Sequence, residues 1–291
     1  MHSNVPIARG NGPCIQQKVP ELARQHPFLM HDILAQAALH LSWLRLAQQQ
    51  HYSSLATRHH GLALPQFCLT LQHLNESNYD ALLAYSFSLV WCAFATRAAP
   101  LTDEGIRDKS DMGRLIPEWF SLLRGACLII RLSRPWIVHS SQSMPRIPPP
   151  AAFLQSSDHL QLTALSARLT PIVVSPLCVF MLSAIHHAFS LAFMQNHDTP
   201  MRNPVNFWIG SLPTEFTRLL STDEPWALVI MAHFCILINR SETGWFMKGH
   251  GLRLLQTITG RLNEEWMLHI LWPCEEIGFK PTKLATSLPR S

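Results

Sequence analysis

The sequence has 291 residues, of which 47% are hydrophobic and only 14% charged. Soluble domains carry roughly 25% charged residues; the balance here excludes an intrinsically disordered chain, which needs low hydrophobicity and high charge, and a chain this long can bury a substantial core. The formal net charge of +4 comes from scattered Arg and Lys with no basic run, so nothing marks a nucleic-acid patch.

Residues 1–13 are polar, rich in Gly and Pro, and lack the apolar stretch of a signal peptide; they read as a disordered lead-in. From 14 to 279 helical spacing of apolar residues dominates. The expected fold is all-α, a single large multi-helix bundle enclosing an apolar core or pocket, with 280–291 as a C-terminal tail. Pro27 suits a first helical turn, and behind it Met30, Ile33, Ala37, Leu41 and Leu44 fall on one face. A second helix is expected over 51–74, kinked or broken at Pro65. Residues 75–78 supply a cap, 79–95 form a very apolar helix, and 103–111 form a charged loop.

Pro117 opens the next helix, where Trp119, Leu122, Leu123, Ala126, Ile129 and Ile130 make one stripe and Arg124 and Arg131 point away. Pro145, Pro148, Pro149 and Pro150 then interrupt any period. The segment 135–157 therefore reads as a long Pro-rich loop, mobile and dispensable for folding, between helical halves at 14–134 and 158–279. The second half is expected to hold helices near 159–169, 172–196, 212–220, 224–239, 244–261 and 263–271.

Chemical motifs are scarce. The seven cysteines, Cys14, Cys68, Cys92, Cys127, Cys178, Cys235 and Cys274, are dispersed without a C-x-x-C, as expected of reduced thiols packed as small hydrophobes inside an intracellular protein. No two of the sixteen histidines stand three or four residues apart, so no helix presents a histidine pair to one metal. Neither a metal nor any other cofactor is expected. No phosphate loop, dinucleotide fingerprint or nucleophile elbow is present, and no catalytic residue is assigned. Between Arg168 and Asp198 no charged side chain occurs. That length can cross a bilayer, but Pro171, Pro176, His186 and His187 interrupt it, so a buried helix is expected and no membrane span.

Three segments, 79–95, 172–194 and 225–239, are too apolar for ordinary surface helices. They are expected to meet at the centre of the domain. Phe87, Trp91, Phe94, Phe180, Phe189, Phe234 and Ile238 are the candidate walls of a ligand pocket there, and Ser183, His186 and His233 its candidate polar groups. The competing expectation is a solid core.

Five stretches, taken in order, carry a resemblance: 19–31 running into 33–41; 52–71, with Ala56, His59 and Ala63 ahead of Phe67; 118–125; 207–213 followed by 224–234; and 245–251 leading to Glu265, Trp266, Trp272 and Pro273. Together, over about 14–278, they resemble the C-terminal regulatory domain of fungal binuclear zinc-cluster transcription regulators, and within these the group of the sterol uptake control proteins. The resemblance implies an all-α domain that senses a lipophilic small molecule, such as a sterol or related metabolite, and controls transcription from the nucleus. Those regulators hold zinc in a compact cysteine cluster. The dispersed cysteines here form none, so direct DNA binding by this chain is not expected. The implied partners are the lipophilic ligand, a second copy of the chain, or a full-length regulator; the implied location is the nucleus or the cytoplasm. An enzyme or carrier of fungal secondary metabolism, holding an intermediate in the same pocket, is the alternative, as is a purely structural dimerisation module.

Overall fold

The computed structural model describes residues 15–95, 118–133, 135, 149–194, 203–241 and 247–281. Among them the secondary structure is helical, with no strand. The all-α, multi-helix expectation holds, and the helices group into two compact units, the first holding the described residues up to 135 and the second those from 149 onward.

The first unit contains α1 (Ile15–Gln25), α2 (Pro27–Leu44), α3 (Gln49–Leu71), α4 (Tyr79–Ala95) and α5 (Glu118–Leu132). A short 3-10 turn, Leu46–Gln48, folds α3 back on α2. The two helices pack together, and Ala35 and Ala38 of α2 and Ala56 and Ala63 of α3 are all buried. The buried face of α2 is Phe28, Leu29, Asp32, Ala35, Ala38 and Ser42. The face picked out by apolar spacing is a different one, for Met30 and Leu44 are exposed. Apolar periodicity follows large aliphatic side chains, whereas this helix seats its alanines and one carboxylate inward. Helix α3 runs through Pro65 without a break, so of the kink or break expected there the break does not occur.

Asn78 closes the turn before α4: its Oδ1 accepts from the Asn75 amide at 2.9 Å and its Nδ2 donates to the His73 carbonyl at 2.9 Å. Helix α4 occupies the predicted 79–95, and α5 packs beside it. The core of the unit joins Phe28, Phe67 and Tyr85, with ring centroids 4.6 to 6.1 Å apart.

The second unit contains α6 (Ala151–Leu154), α7 (Ser157–Leu169), α8 (Pro176–Met194), α9 (Pro204–Ser211), α10 (Thr214–Ser221), α11 (Pro225–Arg240), α12 (His250–Arg261), α13 (Glu264–Met267) and α14 (Leu271–Ile277). Helix α11 is its axis. Every residue from Trp226 to Ile238 is buried, because α8, α9, α10, α12 and α14 all pack against it. Local signals set the helix starts: Asn203 accepts from the Val205 and Asn206 amides ahead of Pro204, and Ser156 accepts from the His159 amide. Such caps satisfy amides that a helix leaves unpaired. Asp223 holds the turn into α11 at φ +56° and pairs with Arg261; aspartate is one of the few side chains that tolerate this region.

The end of the proline-rich segment is not loop throughout. Residues 151–154 are helical, Phe153 is fully buried, and Ser156 caps α7. Arg240 binds both Asp158 carboxylate oxygens, at 2.5 and 3.1 Å, and Glu276 at 2.6 Å, while lying over the Phe189 ring. Residues 136–148, the charged loop at 103–111, Pro117 and the predicted lead-in lie outside the described residues. Helix α8 is long and apolar enough to cross a membrane; half of that stretch is buried inside the protein.

Helix α12 starts at His250, with Gly249 at a left-handed φ of +77° just before it; residues 244–246, expected at its start, lie outside the described residues. Gly251 then sets the approach of α12 to α11. A Cβ at Gly251 would lie 2.8 Å from the Cys235 carbonyl oxygen and 3.0 Å from the Asn239 nitrogen. Both are backbone atoms and cannot rotate away. Gly251→Ala is therefore expected to destabilise the protein by about 1–3 kcal/mol, as overpacking does. Gly260, on the same helix, has open space at its Cβ position, and Gly260→Ala should gain roughly 0.5–1 kcal/mol of helix propensity. Urea unfolding of the pair checks this; equal effects would show that α11 and α12 do not approach so closely.

Candidate functional site

The second unit contains an open cleft of about 390 Å³ between α7 and α8. Its lining is Ser166 and Thr170 on the α7 side, Pro149, and a run along α8: Val179, Leu182, Ser183, His186, His187 and Ser190. The α8 positions follow steps of three and four, so they share one face of the helix. Ser183, His186, His187 and Ser190 thus form a polar stripe on an otherwise apolar helix.

The stripe grades from solvent inward. Ser183 is exposed, His186 and His187 are half-buried, and Ser190 is buried. The Ser190 hydroxyl has no hydrogen-bond partner among the described residues. A buried, unpaired polar group costs roughly 1–3 kcal/mol, so the fold keeps this hydroxyl at a price recoverable when something in the cleft bonds to it. His186 packs edge-on to His159 at 4.8 Å and to Phe153 at 5.5 Å. Burial, then the neighbouring His159 and His187, lower its pKa, and the neutral ring can donate or accept one hydrogen bond. His187 stacks edge-on to Phe207 at 4.7 Å. The cleft therefore combines aliphatic walls with hydroxyl and neutral imidazole groups and no fixed charge on its lining. It suits a largely apolar molecule with an alcohol or similar polar head.

Of the ten residues expected to form a pocket, only Ser183 and His186 line this cleft. Phe189, His233, Phe234 and Ile238 are in the second unit's interior, fully enclosed. Phe180 is 47% exposed and does not line the cleft. Phe87, Trp91 and Phe94 belong to the first unit: Phe87 packs against its core, Trp91 is half-buried, and Phe94 stacks on Trp119 at 4.9 Å. Two of the ten expected pocket residues, both on α8, thus line this cleft. Sequence reasoning missed Ser166, His187 and Ser190. The signal was available in the spacing of the only polar residues between Ser183 and Ser190.

Residues 15–171 match the family model for the fungal specific transcription factor domain. This stretch includes all the described helices of the first unit and α6 and α7 of the second, one wall of the cleft. Sterol uptake control protein 2 of Candida albicans is 38% identical over 82 residues, covering 28% of this chain and 11% of that protein. Sterol uptake control protein 2 of Saccharomyces cerevisiae is 30% identical over 128 residues, 43% of this chain and 13% of that protein. The aligned stretch is thus a small part of either relative. No solved structure matches the chain. With more than half of its length matched to one family model, the chain belongs to the fungal specific transcription factor domain family.

Proposed function

We infer that this protein is a transcription-regulatory domain, acting in the nucleus or cytoplasm, whose α7–α8 cleft takes up a lipophilic molecule carrying a hydroxyl group, a sterol or related metabolite. Family membership supports the regulatory role. The two partial relatives, named for sterol uptake control, support the ligand class. The observation that carries the reading is the unpartnered Ser190 hydroxyl, at the buried end of the polar stripe lining the cleft. Apolar walls supply affinity in such sites and a few placed polar groups fix orientation. In a regulator, the ligand acts by favouring the conformation that binds it better.

The test is a thermal-shift and equilibrium binding comparison of a sterol with its deoxygenated hydrocarbon. At a hundred times its dissociation constant the sterol should stabilise the chain by about 2.7 kcal/mol. The hydrocarbon should bind roughly tenfold more weakly, as should the sterol to Ser190→Ala, the loss of about one hydrogen bond. No shift with any hydroxylated lipid sinks the ligand assignment, and equal binding of sterol and hydrocarbon sinks the role of Ser190.

A further inference from the structure

The first unit buries a second polar cluster, unrelated to the cleft. Asp32 on α2, His60 on α3 and Cys92 on α4 bring one donor atom each to within 4.8 Å of one another. Asp32 is 2% exposed and Cys92 6%. Among the described residues no Lys or Arg pairs with Asp32; its carboxylate accepts from Ser88 Oγ at 2.5 Å and from Gln36 Nε2 at 3.0 Å. Gln36 Nε2 also reaches Ser88 Oγ at 2.6 Å. The Nε2 of His60 is buried with no hydrogen-bond partner among the described residues. Two features thus stand unexplained by packing: a carboxylate enclosed without a cation, and an imidazole nitrogen enclosed without a partner. Buried polar groups are ordinarily paired, and an unpaired buried charge is strongly unfavourable.

We propose that Asp32, His60 and Cys92 form a binding site for a divalent transition metal, zinc fitting best, which ties α2, α3 and α4 together. One oxygen, one nitrogen and one sulfur donor suit a borderline-soft cation and disfavour magnesium and calcium, which take oxygen ligands. Zinc sites with three protein ligands hold water in the fourth position. Tetrahedral bond lengths put donor atoms about 3.3–3.8 Å apart, so side-chain rotations of about an ångström close the observed cluster on an ion. Gln36 and Ser88 are the outer groups that orient the carboxylate, as partners of metal ligands commonly do. On loading, the Cys92 sulfur forms the metal bond and its proton leaves to the buffer. The histidine spacing along the sequence hides this site, because its donors come from three different helices.

The test uses the full chain, freed of metal by chelator under a non-thiol reductant and titrated with cobalt(II) and then zinc(II). The expected result is about one equivalent bound, with the near-ultraviolet thiolate-to-cobalt band and intense visible bands of tetrahedral coordination. Zinc should displace the cobalt, raise the thermal midpoint by several degrees, and slow alkylation of Cys92 in mild denaturant, where local opening exposes this buried thiol, as read by peptide mass spectrometry. Cys92→Ser should abolish the thiolate band and Cys68→Ser, an exposed cysteine on α3, should keep it. Ser88→Ala should weaken the metal about 10–100-fold. Failure of the wild type to bind cobalt, a band that survives Cys92→Ser, or equal alkylation of Cys92 with and without zinc overturns the proposal. The wild-type titration and the alkylation readout decide it even where a ligand variant fails to fold.

Discussion

Phe234→Ala is expected to destabilise the protein by about 3–5 kcal/mol, the range for removing a buried aromatic ring. Phe234 is fully buried on α11 and its ring stacks on Trp208 at 4.1 Å, itself fully buried. Trp208 in turn meets Phe216 edge-on at 6.1 Å. Loss of the ring opens a void between α9 and α11 that neither helix can fill, because α11 is gripped on every side. Phe180→Ala is the matched control. Its ring is nearly half exposed on the outer face of α8, and surface changes usually stay within about 0.5 kcal/mol. Chemical denaturation of the two variants measures the contrast. A small effect at Phe234 would mean that space already exists beside it, and the pocket expected from sequence would regain its place over the solid interior described here.

That contrast shows where sequence reasoning stops. Phe180 and Phe234 are indistinguishable in sequence, since each is a phenylalanine inside a run of apolar residues. Helices such as α4, α8 and α11 are apolar on nearly all sides, so their existence and ends are legible while their orientation is not. Helix α4 was placed at 79–95 and observed there, and α11 was expected at 224–239 and spans Pro225–Arg240. Which residues face a ligand depends on which helices pack where, and that pairing is long-range.

The errors on the fold have local causes. The proline run suggested a loop up to 157, yet Pro150 begins a helical turn whose Phe153 is fully buried. Proline is well tolerated at such a position. Helix α9 was missed because only eight residues separate its Asn203 cap from its end at Ser211, too few for a period to show. On α2 the inward face carries alanine, serine and Asp32, which hydrophobic spacing does not register. The same blindness hid the buried cluster of the first unit. The polar stripe of the cleft, by contrast, was half found: Ser183 and His186 interrupt the apolar run of 172–194, and His187 and Ser190 interrupt it in the same way.

Acid should destabilise the second unit through His233. This side chain is 1% exposed, donates from Nδ1 to the Val229 carbonyl at 2.8 Å, and has the Trp272 ring beside it at 5.6 Å. Burial, above all, brings its pKa down to about 4, with Arg168 and His269 pushing the same way and the Val229 bond opposing. The unfolded chain titrates near 6.5. Above that value both states are neutral and the stability of the native state is complete. Between about 6.5 and 4 the unfolded chain takes up a proton that the native state refuses, so stability falls as pH falls. Below about 4 both states are protonated and the loss levels off at roughly 3 kcal/mol. In the metal-free chain Asp32 in the first unit has the opposite sign, since burial raises its carboxyl to about 7: its contribution is complete below about 3.8 and disappears as pH rises through 7. The whole-chain profile therefore mixes the two, and the informative quantity is the difference between wild type and His233→Leu. That variant keeps an apolar side chain of similar bulk with no proton to gain. Relative to wild type it should become more stable by about 3 kcal/mol on going from pH 7 to pH 4. A difference that stays constant across this range would show that His233 is open to protonation in the native state, and that α11 is not sealed at this position.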